Sequence, residues 1–294
     1  MADRDPKKMA LEIASLRAFI TNLPESDRPF ADPYAEHFFD PETQKRFRDP
    51  DFAGSERARY EELMPGAGGA LVARICFIDE LMTACIARGV SQVVSIGAGY
   101  DTRPYRLEAA GNNVRFYEID HPETQAVKIA TMERILDSSP QHVVYVPVVF
   151  GQDRLDQKLL ASSYDPSAKS LFIAEGLLMY IPPPAVDGLL GFIAKASAPG
   201  SAFVADVFPT SVIDGTSPLP EAQNLKRFVE QEGSSLMFGV NEPELEGFFA
   251  QRGFRDVRAV SAVSCKEKYF RGQSRDMPVS TMFTFVTAEV AAQG

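Results

Sequence analysis

The chain reads as an α/β protein: a doubly wound, mainly parallel sheet with a helical N-terminal cap and an antiparallel strand pair near its C-terminal end. Three observations predict this. Five short runs, residues 92–96, 114–120, 142–150, 170–175 and 202–208, are nearly continuous in apolar residues, as strands are when helices cover both faces of a sheet. Helical spacing fills most of the intervals between them, which is the alternation of a parallel sheet. The residues before the first run carry helical periodicity alone.

In residues 1–88, Met9, Ile13, Leu16 and Ile20 recur at helical spacing, and Leu71, Ile75, Ile78, Leu81, Met82 and Cys85 do so again before Gly89. Two turn-forming clusters, residues 24–29 and 65–69, divide this helical cap into pieces able to fold over a cleft. Residues 89–294 form the α/β core. Within it, residues 209–220 are rich in Thr, Ser, Gly and Pro and read as a loop or lid leading into a helix over 221–232, with the lid region extending over 209–240. Residues 242–252 read as a helix ended by Gly253, and 257–263 and 281–290 as two edge strands joined by a polar connection. There is no internal repeat, and 294 residues suit one large domain, 1–294.

Bulk properties narrow the class. With 45% hydrophobic and 24% charged residues, and no apolar run of membrane-spanning length, a soluble protein without a membrane partner is expected. The N-terminal segment has no apolar core of a secretory signal, so the expected location is cytoplasmic. Cys76, Cys85 and Cys265 form no C-x-x-C pair and are odd in number, which suits packing in a reducing compartment. His37, His121 and His142 lack metal-ligand spacing and read as structural, so no metal is expected. A formal net charge of −10 disfavours nucleic acid, whose binding rests on cationic neutralisation of phosphates. A small molecule is the expected partner; the oligomeric state is left open.

The chemistry concentrates in residues 93–103 and 116–120. A buried run ends in Gly97-Ala98-Gly99, and the next run ends in Asp120. This is the arrangement in which backbone approaches a nucleotide-type cofactor and a carboxylate takes its ribose hydroxyls. The third glycine of the dinucleotide pattern, which allows close packing under a pyrophosphate, is replaced by Thr102. An adenosine cofactor without pyrophosphate fits better, and S-adenosyl-L-methionine (SAM) is the expected one. Thr102 counts against the competing reading, an NAD(P)-dependent oxidoreductase; a non-catalytic SAM-binding protein is a further alternative.

Four more residues complete the candidate site. Arg74 lies in the apolar run 70–78, where an unpaired charge is costly, so it is expected to have a partner, the carboxylate of the methionine part of SAM. Glu175 closes the run 171–174 at the end of the sheet where open α/β folds place ligands, and is expected to accept from the cofactor ammonium or ribose. Tyr180 precedes Pro182-Pro183-Pro184 and is expected to face the acceptor, with core packing as its alternative. Arg17 on the first helix is the second catalytic candidate, facing the cleft or an acidic substrate, with a solvated surface as its alternative. Arg103 is expected to pair within the protein.

Several motifs in this order carry a resemblance: Asp32-Pro33-Tyr34-Ala35, Arg74, Gly97-Ala98-Gly99-Tyr100-Asp101-Thr102-Arg103 with Tyr105-Arg106-Leu107, Glu118-Ile119-Asp120-His121-Pro122, and Glu175-Gly176-Leu177-Leu178-Met179-Tyr180-Ile181. Together they resemble the leucine carboxyl methyltransferase family, in particular its bacterial branch of polyketide and other small-molecule O-methyltransferases. The resemblance implies a Rossmann-like class I methyltransferase that uses SAM to methylate a carboxylate or phenolic oxygen of a small metabolite, or, in another part of the family, a protein C-terminal carboxylate. One departure stands out. The family places an Asp after a Val-Pro-Val-like strand, beside the adenine; here the strand reads Val146-Pro147-Val148-Val149-Phe150. Backbone at Val149 and Phe150 is then expected to meet the adenine, with Gln152 or Asp153 as side-chain partners. A carboxylate, with a reference pKa near 4, needs no general base, whereas a phenol near 10 benefits from one. With no His or Lys-Asp motif evident, carboxyl methylation or an acidified phenol is favoured.

Overall fold

A computed structural model describes residues 6–107, 113–137, 140–231 and 233–292. The cap opens with α1 (Pro6–Thr21), a single 3₁₀ turn at Ala35–Phe38, and two helices that periodicity did not reveal, α2 (Pro41–Phe47) and α3 (Pro50–Leu63). Both begin with the same local chemistry. Asp40 and Asp49 accept from the free backbone N–H groups of the first turn, and a proline occupies the first helical position, where a missing N–H is harmless. No residue of α3 is buried, so it has no apolar face to betray it in sequence. The long α4 (Ala67–Ala87) is by contrast buried along most of its length and carries the chain into the sheet.

The remaining elements follow in chain order: β1 (Gln92–Ile96), α5 (Arg103–Arg106), β2 (Arg115–Asp120), α6 (Pro122–Leu136), β3 (Val143–Pro147), α7 (Leu155–Leu160), β4 (Ser170–Ala174), α8 (Pro183–Lys195), β5 (Ala202–Val207), α9 (Thr210–Asp214), α10 (Pro220–Gln231), α11 (Leu245–Ala250), β6 (Phe254–Ser261), α12 (Ala262–Tyr269) and β7 (Thr284–Val290). They build one seven-stranded sheet in the order β3-β2-β1-β4-β5-β7-β6. β1 to β5 run parallel, while β7 is antiparallel to both β5 and β6. The order reverses between β1 and β4, and the crevice beyond the strand ends at such a switch point is where open α/β sheets bind ligands.

Alternate residues of the strands feed two cores. Val94, Ile96, Phe172, Ala174, Phe203 and Ala205 pack on the face that carries Leu190 and Ile193 of α8. Val93, Leu171, Ile173 and Val204 pack on the opposite face against Ile78, Met82 and Cys85 of α4. Burial on both faces explains why these strands lack a period-two polar pattern.

Three stretches differ from expectation. β3 stops at Pro147, and Val149 and Phe150 lie in the turn beyond it. β6 starts at Phe254 and ends at Ser261, where the side chain of Ser261 accepts from Ser264 N and starts α12. The connection to β7 is therefore a helix and a 3₁₀ turn (Gly272–Asp276), with Cys265 buried in it. Residues 209–240 hold α9 and α10, and are tied down by Met237 N donating to Met179 O (2.8 Å) and Val240 N donating to Phe208 O (2.9 Å). Among the described residues no helix is long and apolar enough to cross a membrane.

The cap meets the core through small residues. A methyl group at Gly69, in the first turn of α4, would overlap the carbonyl of Pro278, whereas Gly54, inside α3, faces open space. Gly69→Ala should therefore lose about 1–3 kcal/mol of unfolding free energy. Gly54→Ala should gain about 0.5–1 kcal/mol from reduced helix entropy cost. Urea unfolding of the two variants checks both signs.

Candidate active site

The loop after β1 and the end of β2 are joined by hydrogen bonds. Gly97 and Gly99 have φ of 71° and 50°, the left-handed region that glycine enters without strain. The N–H groups of Gly97 and Ala98 donate to Ile119 O (2.8 and 3.1 Å). Gly99 N donates to Asp120 Oδ2 (2.5 Å), and His121 N donates to Asp120 Oδ1 (2.6 Å). Asp120 thus faces the glycine turn with its carboxylate fixed. Burial raises its pKa, against the opposing effect of the Gly99 and His121 N–H donors. A carboxylate has about four acceptor positions, so after these two bonds capacity remains for ribose hydroxyls. The helix-cap role considered for Asp120 falls instead to His121, whose side chain accepts from Glu123 N at the start of α6.

Beside this turn lies a buried ion network. Arg74 Nε donates to Glu175 Oε1 (2.9 Å) and its Nη1 to Asp206 Oδ2 (2.7 Å). The other oxygen of Asp206 accepts from Gly176 N (2.6 Å). Arg103 Nη1 donates to Glu175 Oε2 (2.7 Å) and Asp101 Oδ2 (3.0 Å), and its Nε to Asp79 Oδ1 (2.6 Å). Both oxygens of Glu175 are therefore held by arginines, and Arg103 pairs within the protein. Burial acts to raise the pKa of Glu175, but Arg103 and Arg74 outweigh it and hold the carboxyl below its usual range. The carboxylates that Arg74 contacts lie inside the chain, whereas the cofactor carboxylate was expected, and Arg74 Nη2 makes no hydrogen bond to a described residue. Sequence reading passed over Asp206, although an acid within the otherwise apolar run 202–207 was a signal of a buried partner.

α1 covers the glycine turn. A Cβ on Gly99 would stand 3.4 Å from the Cβ of Ala10. Arg17 Nη2 donates to Tyr100 O (2.5 Å), and its Nε lies 3.4 Å from Asp32 Oδ2. Asp32 in turn accepts from Thr102 Oγ1 (2.6 Å) and Tyr34 N (3.0 Å). Arg17 is 4% exposed, which overturns its reading as a solvated residue. The ring of Phe38 stacks on Tyr100 at 4.3 Å, so the motif 32–35 and the turn that follows it are part of one roof.

On the far side of β2, Val149 N donates to Asp153 Oδ2 (2.8 Å), Val149 O accepts from Gln152 and Asp153 N, and Asp153 pairs with Lys158 (2.9 Å). Phe150 packs partly buried against the core. On the acceptor side, Tyr180 ends a 3₁₀ turn (Leu178–Tyr180) and is half-buried. Near it lie Tyr60 from the last turn of α3, Glu12 of α1 and Arg74. Tyr60 is 39% exposed, yet desolvation, then the charges of Glu12 and Tyr180, push its hydroxyl up to about 12, against the pull of Arg74. Sequence reading missed Tyr60, which sits among polar residues with no pattern to single it out, and Glu12, although an acid within the apolar stretch 9–14 was a signal.

Comparison with known proteins adds to this geometry. The leucine carboxyl methyltransferase family matches residues 10–194. A Mycobacterium avium protein named as an S-adenosyl-L-methionine-dependent methyltransferase is 29% identical over 257 residues, covering 84% of this chain and 82% of its own. One from Mycolicibacterium smegmatis with the same name is 33% identical over 208 residues, covering 68% and 66%. A Thermobifida fusca crystal structure described as a methyltransferase shares the fold, with a TM-score of 0.57 at 19% identity over 82% of this chain and 89% of that one.

The lowered pKa of Glu175 fixes a sign. Its contribution to stability is fully present above the unfolded value, near 4.3, and is lost as pH falls through the lower folded value. Glu175→Gln, which breaks a buried pair, should cost about 3–5 kcal/mol at pH 7. It should also flatten the acid limb below pH 4 in denaturant unfolding followed against pH.

Proposed function

The chain belongs to the leucine carboxyl methyltransferase family, and from that premise we propose that it moves a methyl group from SAM to an ionised carboxylate oxygen of a small metabolite. It is a SAM-dependent methyltransferase. When bound, SAM supplies a methyl carbon on a positively charged sulfur, open to in-line displacement by an oxygen lone pair.

The residues present suit that cofactor. Gly97, Ala98 and Gly99 offer backbone that a ligand can approach, and Asp120 keeps acceptor positions for ribose hydroxyls. Arg74 would take the methionine carboxylate through Nη2, while Glu175 holds both Arg74 and Arg103 in place. The N–H and C=O of Val149 are already engaged, which leaves Phe150 as the contact to adenine. Arg17 would act at one remove, by holding α1 over the turn.

The observation that supports the choice of acceptor is which groups meet on the acceptor side: the hydroxyls of Tyr60 and Tyr180, with Arg74 and Glu12 near them. A hydroxyl pushed up to about 12 stays protonated and donates; it does not remove a proton. Tyr60 and Tyr180 then offer hydroxyl donors to an oxygen that already bears its charge, and positioning of this kind can supply several kcal/mol of barrier reduction. An acceptor carboxylate meets that condition without a base. The cover formed by α1 favours a small acceptor over a protein C terminus. Polyketide-type acids and phenols fall in the size class to be tried.

Two measurements test this reading. Incubation with methyl-labelled SAM and a panel of carboxylates and phenols should give a base-labile methyl ester; a base-stable methyl ether as the main product would sink the carboxylate assignment. In calorimetry, Asp120→Ala should weaken SAM binding by about 1–3 kcal/mol through loss of charged hydrogen bonds, and unchanged affinity would remove Asp120 from the ribose role.

A further inference from the structure

A cavity lies at the end of the sheet opposite the candidate active site. Its volume is about 620 Å³, within the roughly 300–1,000 Å³ of small-molecule sites. Val90 just before β1, Lys169 just before β4, Gly200 just before β5 and Ala202 at its start, Arg255 on β6, and the chain leaving β7 all line it. Its walls combine apolar surface from Val90, Pro199, Ala202 and Ala291 with three cations, Arg88, Lys169 and Arg255, against one carboxylate, Glu289.

The cations are poorly neutralised. The ammonium of Lys169 has no hydrogen bond or ion pair to a described residue. Among the described residues, Arg88 Nη2 donates only to Cys85 Sγ (3.3 Å), a neutral and weak acceptor. Arg255 makes two long contacts, 3.4 Å to Glu289 and 3.5 Å to Asp256. At the other end of the same strands, Arg74 and Arg103 each contact two or more carboxylates within 3.0 Å. In a chain of formal charge −10, an open recess lined among the described residues by three cations and one carboxylate, with Asp256 also within reach of Arg255, stands out as a local reversal of sign.

We propose that this recess is a second ligand site, separate from the methyl-transfer site, that takes a small organic anion with a flat apolar body and a phosphate, sulfonate or carboxylate head. The apolar floor receives the body, and Lys169 and Arg88 receive the head. Arg88, Lys169 and Arg255 are exposed while Val90 and Ala202 are buried, so the cations face solvent around an apolar floor and attract a counter-charge from it. The site is independent of the acceptor assignment, because none of its residues contributes to the glycine turn, the ion network or the roof.

The test uses 8-anilinonaphthalene-1-sulfonate, an anion of this shape, titrated by fluorescence with and without saturating S-adenosylhomocysteine. Binding should be saturable, close to one per chain, and unaffected by the nucleoside. Lys169→Glu should weaken it by about fivefold or more, since attraction becomes repulsion at the head group, and adding Arg88→Ala should weaken it further. Lys45→Glu, on the exposed face of α2, should leave it unchanged. Both lysines are exposed, so these variants keep the fold. The proposal is overturned by absence of saturable binding, by unchanged affinity in Lys169→Glu, by equal loss in Lys45→Glu, or by displacement of the dye with S-adenosylhomocysteine.

Discussion

The structure turns on one carboxylate held by two arginines. Glu175, at the tip of β4, is contacted through one oxygen by Arg74 from α4 and through the other by Arg103 from the turn after β1. Arg74 continues to Asp206 on β5, and Arg103 to Asp79 on α4 and Asp101 in the loop. One connected set of charges thus joins the cap helix, the glycine loop and two central strands. Ion pairs this far from water often add little net stability, because desolvation offsets the attraction; what they do is penalise every arrangement in which one partner is left alone. The network is best understood as a lock on geometry. It fixes where the loop after β1 stands relative to the end of β4, which is the crevice at the reversal of strand order.

The rest of the site is built outward from that lock. With the loop held, Gly99 and His121 can both donate to Asp120, so the acid at the end of β2 stays in one orientation. With Asp101 and Thr102 held, Asp32 can accept from Thr102, and Arg17 can bridge Asp32 and Tyr100 to seat α1 as a cover. α3 is the exception. It carries no buried residue, so it is the element whose position costs least to change.

What could be read in the sequence follows from the same division. The five parallel strands, the glycine turn and Asp120 were legible because burial on both faces and the need for positive φ leave a strong mark on residue choice. Helix α1 and helix α4 were legible by period. α2 and α3 were not, since they are specified by Asp-Pro caps at residues 40–41 and 49–50 rather than by an apolar stripe. The strand reading of residues 257–263 ran two residues too far because Ala262 and Val263 suit a strand as well as a helix; the side chain of Ser261 decides the matter. At the site, Arg74 and Glu175 were both singled out, but from sequence each looked outward to a cofactor. That they reach each other, 101 residues apart, is a fact of topology, and no local pattern encodes it.

Charge balance explains why such a heavily paired site still suits its cofactor. Six carboxylates, Asp32, Asp79, Asp101, Asp120, Glu175 and Asp206, gather with four guanidiniums, Arg17, Arg74, Arg103 and Arg106. The excess is negative, which favours a ligand whose ammonium and sulfonium outweigh its single carboxylate, and opposes an anion arriving alone. On the proposed reading, an anionic acceptor would gain attraction from the bound sulfonium. In a water-poor crevice such an attraction is stronger than in solvent, so on the carboxylate reading proposed above the donor's own charge would be the feature that admits the acceptor.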